Sequence, residues 1–325
     1  MNKIAKAVNL LLKYNTIVIF VALLIASSFA SNVFFSQRNI FNLLRQVAGI
    51  GAVSMGMLLV ILTAGIDLSV GSISALASVL VAYFLLPDSV VPMPLFASII
   101  CTIIIGVLLG SSSGFLVANR RIAPFVATLA LMTIARGLAF IISKGRPILL
   151  TDAGEPLKNF GSGYWLQIPQ PVFVMFLIFV IVFVLLRYTV FGRLVIAIGS
   201  NETAVRLSGI RVAIYKFSVY CISGGFAAVA GIISTARTGV GSAVVNPGME
   251  LDAIAAVVIG GASLSGGKGT ALNTLLGVFI LGMIGNIMNL KNVPGYSQQV
   301  IKGLIIIFAV LLQGIRSRSE AAKTF

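Results

Sequence analysis

Apolar residues run along this chain in long blocks, separated by short gaps that collect most of its charged residues. The blocks lie near Thr16 to Ser31, Arg45 to Ala64, Ser69 to Leu86, Met93 to Ala118, Ala123 to Ser143, Pro171 to Leu186, Lys216 to Thr235, Leu251 to Leu264, Thr270 to Asn289 and Gln299 to Gln313. They approach or exceed the length of about 20 residues that a helix needs to cross the hydrocarbon layer of a bilayer. The pattern therefore predicts an all-α polytopic membrane protein with about ten transmembrane helices. The block Leu251 to Leu264 is short for a full crossing and carries the pair Gly260-Gly261. It reads as a broken or re-entrant helix lining a cavity.

Composition agrees. The chain has 325 residues, 58% of them hydrophobic and only 10% charged, with a mean hydropathy of +1.09. A water-soluble globule is excluded. The net charge of +15 would suit a nucleic acid if it lay on one soluble face, but the basic residues sit in the gaps between apolar blocks, as membrane orientation demands. With the N-terminus in the cytoplasm, Lys3, Lys6, Lys13, Arg120, Arg121, Arg187, Arg193, Arg206, Arg211, Lys216, Lys268, Arg316, Arg318 and Lys323 fall inside, 14 of the 23 lysines and arginines. Both termini are then cytoplasmic, with residues 1–15, 187–215 and 316–325 on the inner side. Lys3, Lys6 and Lys13 ahead of an apolar stretch resemble a signal peptide, but the reading preferred is a retained first span. There is no histidine, which excludes a histidine general base, a histidine-ligated zinc and a Ser-His-Asp triad. Cys101 and Cys221 both lie in apolar blocks and read as core packing.

Several local patterns carry more specific expectations. Gly106, Gly110 and Gly114 recur every fourth residue, a spacing that lets a second backbone approach closely in lipid. The segment Lys144 to Gln170, with Pro147, Pro156 and Pro169, reads as an irregular outer loop that either faces an external partner or merely connects. In the inner segment, Asn201 is placed to cap a short helix with Glu202 in its first turn, and Gly209 to end it in the left-handed conformation. Ala204, Val205, Leu207 and Ile210 beside Glu202 and Arg206 suit either a groove on a peripheral protein or lipid headgroups.

Asp67, between two apolar runs, is expensive in lipid; it either caps the helix running through Val70 or sits in a permeation path or gate. Arg136 either snorkels outward or pairs with Glu250 or Asp252. Gly65 to Gly71 and Gly261 to Gly267 share glycine, leucine, serine and glycine at one spacing, an echo ascribed to chance. Gly260 to Thr270 invites a phosphate-loop reading around Lys268 and fails it. The motif needs glycine five residues before its Gly-Lys pair and Ser or Thr directly after, where this chain has Ala262 and Gly269.

The strings Gly65-Ile-Asp-Leu-Ser-Val-Gly-Ser72, Asn201-Glu-Thr-Ala-Val-Arg-Leu-Ser-Gly-Ile210 and Glu250-Leu-Asp-Ala-Ile-Ala-Ala-Val-Val-Ile-Gly-Gly-Ala-Ser-Leu-Ser-Gly-Gly-Lys-Gly269 resemble the signatures of bacterial ribose-type ABC importer permeases. The similarity runs in family order from about Asn39 to Ile315. It implies one transmembrane permease domain over 1–325 in the inner membrane, working as a homodimer with a cytoplasmic ABC ATPase and a periplasmic sugar-binding protein. This chain would bind no cofactor or metal itself, ATP and magnesium belonging to the ATPase. Asn201, Glu202, Ala204, Val205, Arg206, Leu207 and Gly209 match the coupling helix that docks on that ATPase. A monosaccharide, ribose as the first choice, would pass residues such as Asp67, Ser69, Ser72, Ser74, Asn286 and Asn289. Serines in membrane helices also bond their own backbone, which is the plainer role for these. The rival readings are an ion-coupled secondary transporter, disfavoured by the scarcity of intramembrane ionisable groups, an ABC permease for a branched-chain amino acid, and a channel, for which no charged ring or filter-like segment speaks.

Overall fold

The computed structural model describes residues 15–322. The expectations placed on Lys3, Lys6, Lys13 and Lys323, and on the side chains of Arg316 and Arg318, lie outside the described residues. Each apolar block falls on a helix. In chain order they are α1 (Asn15–Ala30), α2 (Gln37–Leu62), α3 (Val70–Phe84), α4 (Leu95–Ala118) and α5 (Pro124–Ser143). A short strand β1 (Ile148–Leu149), α6 (Glu155–Ser162), the strands β2 (Tyr164–Trp165) and β3 (Ile168–Pro169), and α7 (Gln170–Tyr188) follow. Next come α8 (Val190–Ser200), α9 (Glu202–Leu207), α10 (Val212–Thr238), β4 (Val240–Gly241), α11 (Met249–Ile259), α12 (Ala271–Leu290) and α13 (Gly295–Ala322).

Among the described residues six helices, α2, α4, α5, α7, α10 and α12, are long and apolar enough to cross a membrane, so this is a multi-pass membrane protein. Helix ends follow caps and not the limits of apolarity. α2 begins at Gln37, ahead of its apolar run, because the Ser36 hydroxyl accepts from the Asn39 amide at 3.3 Å. α11 stops at Ile259 because the chain turns at Gly261, whose φ of +85° few side chains tolerate.

α10 organises the interior by packing on α4, α2 and α3. Gly106, Gly110 and Gly114 bring α4 onto it backbone to backbone: added Cβ atoms would lie 2.7 Å from Gly224 O, 2.3 Å from Tyr220 O and 2.8 Å from Phe217 O respectively. This is the close approach that small residues allow where lipid offers no hydrophobic drive for helix association. α3 runs parallel to α10 on another side, with Ser74 O against Gly231 and the Ser78 and Thr235 hydroxyls 2.7 Å apart.

The crossing between α10 and α12 is discontinuous. After Gly239, at φ +70°, β4 pairs antiparallel with β1. The chain then turns back along α3: the Ser242 amide donates to Ser78 Oγ at 3.2 Å, Asn246 Nδ2 donates to Ser74 Oγ at 2.7 Å, and Glu250 reaches Gly71. From Ser78 to Gly71 this extended segment descends about 10 Å, and the helical part α11 covers only about 16 Å at the α-helical rise.

The segment from Lys144 to Gln170 is ordered, contrary to the irregular loop expected. Its prolines bound elements: Pro156 sits in the first turn of α6 and Pro169 closes the β2–β3 pair opposite Tyr164. Gly161 seats α6 against the end of α10, where an added Cβ would lie 2.0 Å from Ala236 O. Arg45 Nη2 donates to Ser162 O at 2.6 Å. At the opposite end of the bundle, the Gly267 amide donates to Leu62 O at 3.0 Å. Gly199 of α8 rests on both, its added Cβ 1.8 Å from Leu62 O and 2.4 Å from Gly267 N. The Gly65–Gly71 string leads into α3 whereas Gly261–Gly267 trails α11, so the two strings occupy different positions in the fold.

Candidate functional site

A cavity of about 600 Å³ opens between α5 and the extended segment before α11. Its polar lining is Ser72 from α3, Thr133 and Arg136 from α5, and Glu250 from α11; Phe140 and Val244 are prominent among its apolar residues. The volume lies in the range typical of small-molecule sites.

Arg136 is carried by a helix that is exposed over much of its surface, and its guanidinium turns inward. Nη1 donates to Ala243 O at 2.6 Å and Val245 O at 3.3 Å, and Nε donates to Ser72 Oγ at 3.2 Å. Backbone carbonyls of the extended segment, free because that segment is not helical, thus hold the guanidinium, which neither snorkels outward nor bonds a carboxylate directly, the two alternatives expected. Asp252 is engaged elsewhere, accepting from Lys302 Nζ at 2.7 Å. Glu250 lines the same cavity as Arg136, within its electrostatic reach. Its Oε2 is buried against Gly71, where an added Cβ would lie 2.1 Å away, and it makes no hydrogen bond among the described residues. The carboxylate therefore lies at the start of two helices, α3 and α11, whose unsatisfied amide ends favour a negative charge.

Behind the cavity α3 presents a serine ladder. Ser72 holds Arg136, Ser74 accepts from Asn246, and Ser78 bonds Thr235 and the Ser242 amide. Asn246 also meets Ser234 at 2.9 Å. Asn246, Ser78, Ser234 and Thr235 were not singled out in the sequence, although Asn246-Pro247-Gly248 is a turn signature that marks the break before α11. Asn246 sits at φ +54° and Gly248 at φ +74°.

Asp67 is fully buried below the cavity. Its Oδ1 accepts from the Ser69 amide at 3.0 Å and the Ser69 hydroxyl at 2.5 Å, and its Oδ2 accepts from the Ser223 hydroxyl at 2.8 Å. Asp67 and Ser69 thus form a turn ahead of α3 and tie it to α10. Asn286 lies apart from this cluster, its amide exchanged with that of Asn39 at 2.8 and 3.0 Å between α12 and α2. Asn289 accepts from Gln298 Nε2 at 2.8 Å. Of the six polar residues expected along a path, the cavity lining takes in Ser72, beside Arg136 and Glu250, which were expected only as charges within the membrane. Asp67, Ser69 and Ser74 lie buried behind or below it, and Asn286, Asn289 and Asp252 outside its lining.

A second feature stands at the Leu62–Gly267 end. Asn201 Oδ1 accepts from the Ala204 amide at 2.9 Å to start α9, and Gly209 at φ +79° follows its end. Lys216 Nζ donates to Glu202 Oε2 at 2.6 Å and Arg206 pairs with the other oxygen, which holds the Glu202 carboxyl below its ordinary range despite some burial. Val205 is buried with Ile198 and Val212, whereas Ala204 and Leu207 point outward, Leu207 being 83% exposed. The turn from Gly260 to Thr270 joins α11 to α12, so it lacks the strand that precedes a phosphate loop.

Compared with known proteins, residues 39–310 match the family model described as branched-chain amino acid transport system / permease component. The chain is 46% identical over 295 residues to a ribose import permease protein of Bacillus subtilis, covering 91% of this chain and 90% of that one. It is 41% identical over 297 residues to a ribose import permease protein of Haemophilus influenzae, covering 90% and 91%. Against an L-arabinose ABC transporter permease protein of Azospirillum brasilense the identity is 34% over 306 residues, covering 94% and 88%. No solved structure matches the chain.

Proposed function

Because the chain belongs to the family of branched-chain amino acid transport system permease components, we propose that it is the membrane subunit of an ATP-driven importer that carries a monosaccharide, ribose first among them. The observation that carries the cargo is the set of relatives. The family description names branched-chain amino acids, but relatives at 40–46% identity over about nine-tenths of the chain are named for ribose. The cavity is consistent with an uncharged polyol, since it offers a few fixed polar groups on an otherwise apolar wall. Few groups and weak binding suit a path, because cargo must leave as readily as it enters.

In this reading the chain crosses the inner membrane about ten times with both termini in the cytoplasm, as one permease domain over 1–325. Two copies form the permease and the sugar passes between them, by way of the cavity that holds Ser72, Arg136 and Glu250. Ser69 at the N-cap of α3 and Ser74 within it back the cavity and Asp67 anchors that helix to α10, while Asn286 and Asn289 stand away from its lining. α9 is the coupling helix: Asn201, Glu202, Val205, Arg206 and Gly209 build it, and Ala204 and Leu207 meet a cytoplasmic ABC ATPase, where ATP and magnesium are bound. A periplasmic binding protein delivers the sugar at the end that carries α6. Closure of the ATPase dimer would move α9 and switch the path between its outward-open and inward-open forms.

The test is uptake of labelled ribose into proteoliposomes holding the permease and the ATPase that copurifies with it, with the binding protein supplied outside. Uptake that requires ATP and magnesium is the expected result. Recovery of the permease without any ATPase, with ribose uptake driven by a proton or sodium gradient, would replace this reading by a secondary transporter.

A further inference from the structure

Gly137 stands inside α5 with nothing within 4 Å of where a Cβ would be. The contrast with the other helices is sharp. Added Cβ atoms on Gly106, Gly110, Gly224, Gly231 and Gly277 would strike backbone or side-chain atoms at 2.0 to 2.5 Å, so packing within the chain explains those glycines. No such contact explains Gly137, and a glycine inside a helix costs roughly 1 kcal/mol relative to alanine. Gly285 and Gly303 are also open, but neither lines this cavity. Gly248, across the cavity from Gly137, also has nothing within 4 Å, although there the φ of +74° accounts for the glycine. The two glycines therefore keep free the space next to Arg136.

That space has the chemistry of a sugar site. Arg136 spends Nε and Nη1 on the chain, and among the described residues Nη2 keeps its hydrogens for another acceptor. The Thr133 hydroxyl lies on the same wall with its oxygen able to accept a second bond. Phe140, 41% exposed, adds an aromatic ring to the lining, a group on which the polarised C–H bonds of a sugar can rest. Donors, an acceptor and an aromatic face around an open glycine suit a small polyhydroxylated ring better than a lipid chain. On the importer reading above, we propose that Gly137 sets the width of the passage at which a monosaccharide in transit meets Arg136, so that the permease itself sieves cargo by size.

The test uses the assembled permease, ATPase and binding protein in proteoliposomes, with ribose as the probe and the unaltered complex as the control that establishes ATP-dependent uptake. In the series Gly137→Ala, Gly137→Leu and Gly137→Phe, ribose uptake should fall stepwise, by roughly tenfold or more at leucine, while assembly and basal ATP hydrolysis stay unchanged. Gly137→Cys, in a Cys101→Ser, Cys221→Ser background, removes any doubt about folding, because the complex is assembled before it is blocked. Its ribose uptake should fall further with each larger membrane-permeant thiol reagent. Uptake at the control level by Gly137→Phe, or by fully labelled Gly137→Cys, would overturn the proposal. So would a quantitative disulfide between the introduced thiols of two Gly137→Cys copies with uptake retained, since it would make the glycine a helix contact. Absence of ATP-dependent uptake in the control complex would sink the importer reading and this proposal with it, whereas control uptake that Gly137→Phe leaves unchanged sinks this proposal alone.

Discussion

Two charges inside the bundle are accommodated by different means. Asp67 is surrounded by donors from one short turn and a neighbouring helix, Ser69 and Ser223, and is closed off from solvent. Arg136 is half-buried, with carbonyls of an irregular segment on one side and an open cavity on the other. The first arrangement is structural and the second leaves a donor on offer. Asp67→Ala would strand two buried hydroxyls and an amide, at a cost of about 1–3 kcal/mol for each group left unpaired. A lowered melting temperature of the purified protein is the expected result. Asp67→Asn keeps one acceptor and should melt closer to the unaltered protein with ATP-dependent uptake intact, as expected of an anchor and not of a proton relay. That Asp67 would bond the backbone near the start of α3 was legible because its partner Ser69 is two residues away, although Ser69 and not Asp67 stands at the cap position. The Arg136 contacts were not, because Ala243 and Val245 are more than 100 residues distant and expose their carbonyls only because the chain there is not helical.

Among the elements, α9 was the most legible and the outer segment the least. A cap at Asn201, an acid in the first turn and a glycine two residues beyond the last helical residue are local chemistry, and the helix formed between them. What remained open was which face is free. Val205 turns into the bundle and leaves Ala204 and Leu207 outside. Leu207→Asp should therefore fold normally yet lose sugar-stimulated ATP hydrolysis by tenfold or more, roughly what about 1.4 kcal/mol of lost docking would do. Val205→Asp should instead destabilise the permease itself, and melting curves of the two variants separate these effects. The Glu202 carboxyl is held below its ordinary range by Lys216 and Arg206, so its contribution to α9 is complete above the unfolded value and is lost as acid lowers the pH through the folded one. Coupling should hold across neutral pH, and Glu202→Gln should weaken it there. The outer segment looked irregular because its prolines and glycines were read without their partners: α6 is held by the end of α10 and β1 by β4.

Across the whole molecule, the Leu62–Gly267–Gly199 contact links α8, and so α9, to the ends of both discontinuous stretches, the turn before α3 and the turn after α11. A methyl group at Gly199 has no room against two backbones, so Gly199→Ala must part them. Uptake should fall by an order of magnitude or more while the ATPase still copurifies. Unchanged uptake by that variant would show that α9 acts through some other route. The positions of the helices on the ten apolar blocks, the membrane as solvent, the caps of α9 and the need for small residues on α4 were determined by the sequence alone, since each follows from hydrophobic length or from hydrogen bonds a few residues apart. Only the tertiary structure decided that the extended segment before α11 lies along the serines of α3, that Arg136 takes carbonyls in place of a carboxylate, and that Gly137 faces open space while Gly106, Gly110 and Gly114 face a helix. Those outcomes depend on which surfaces meet, and in a chain that is apolar nearly all round its helices the hydrophobic pattern does not distinguish one face from another.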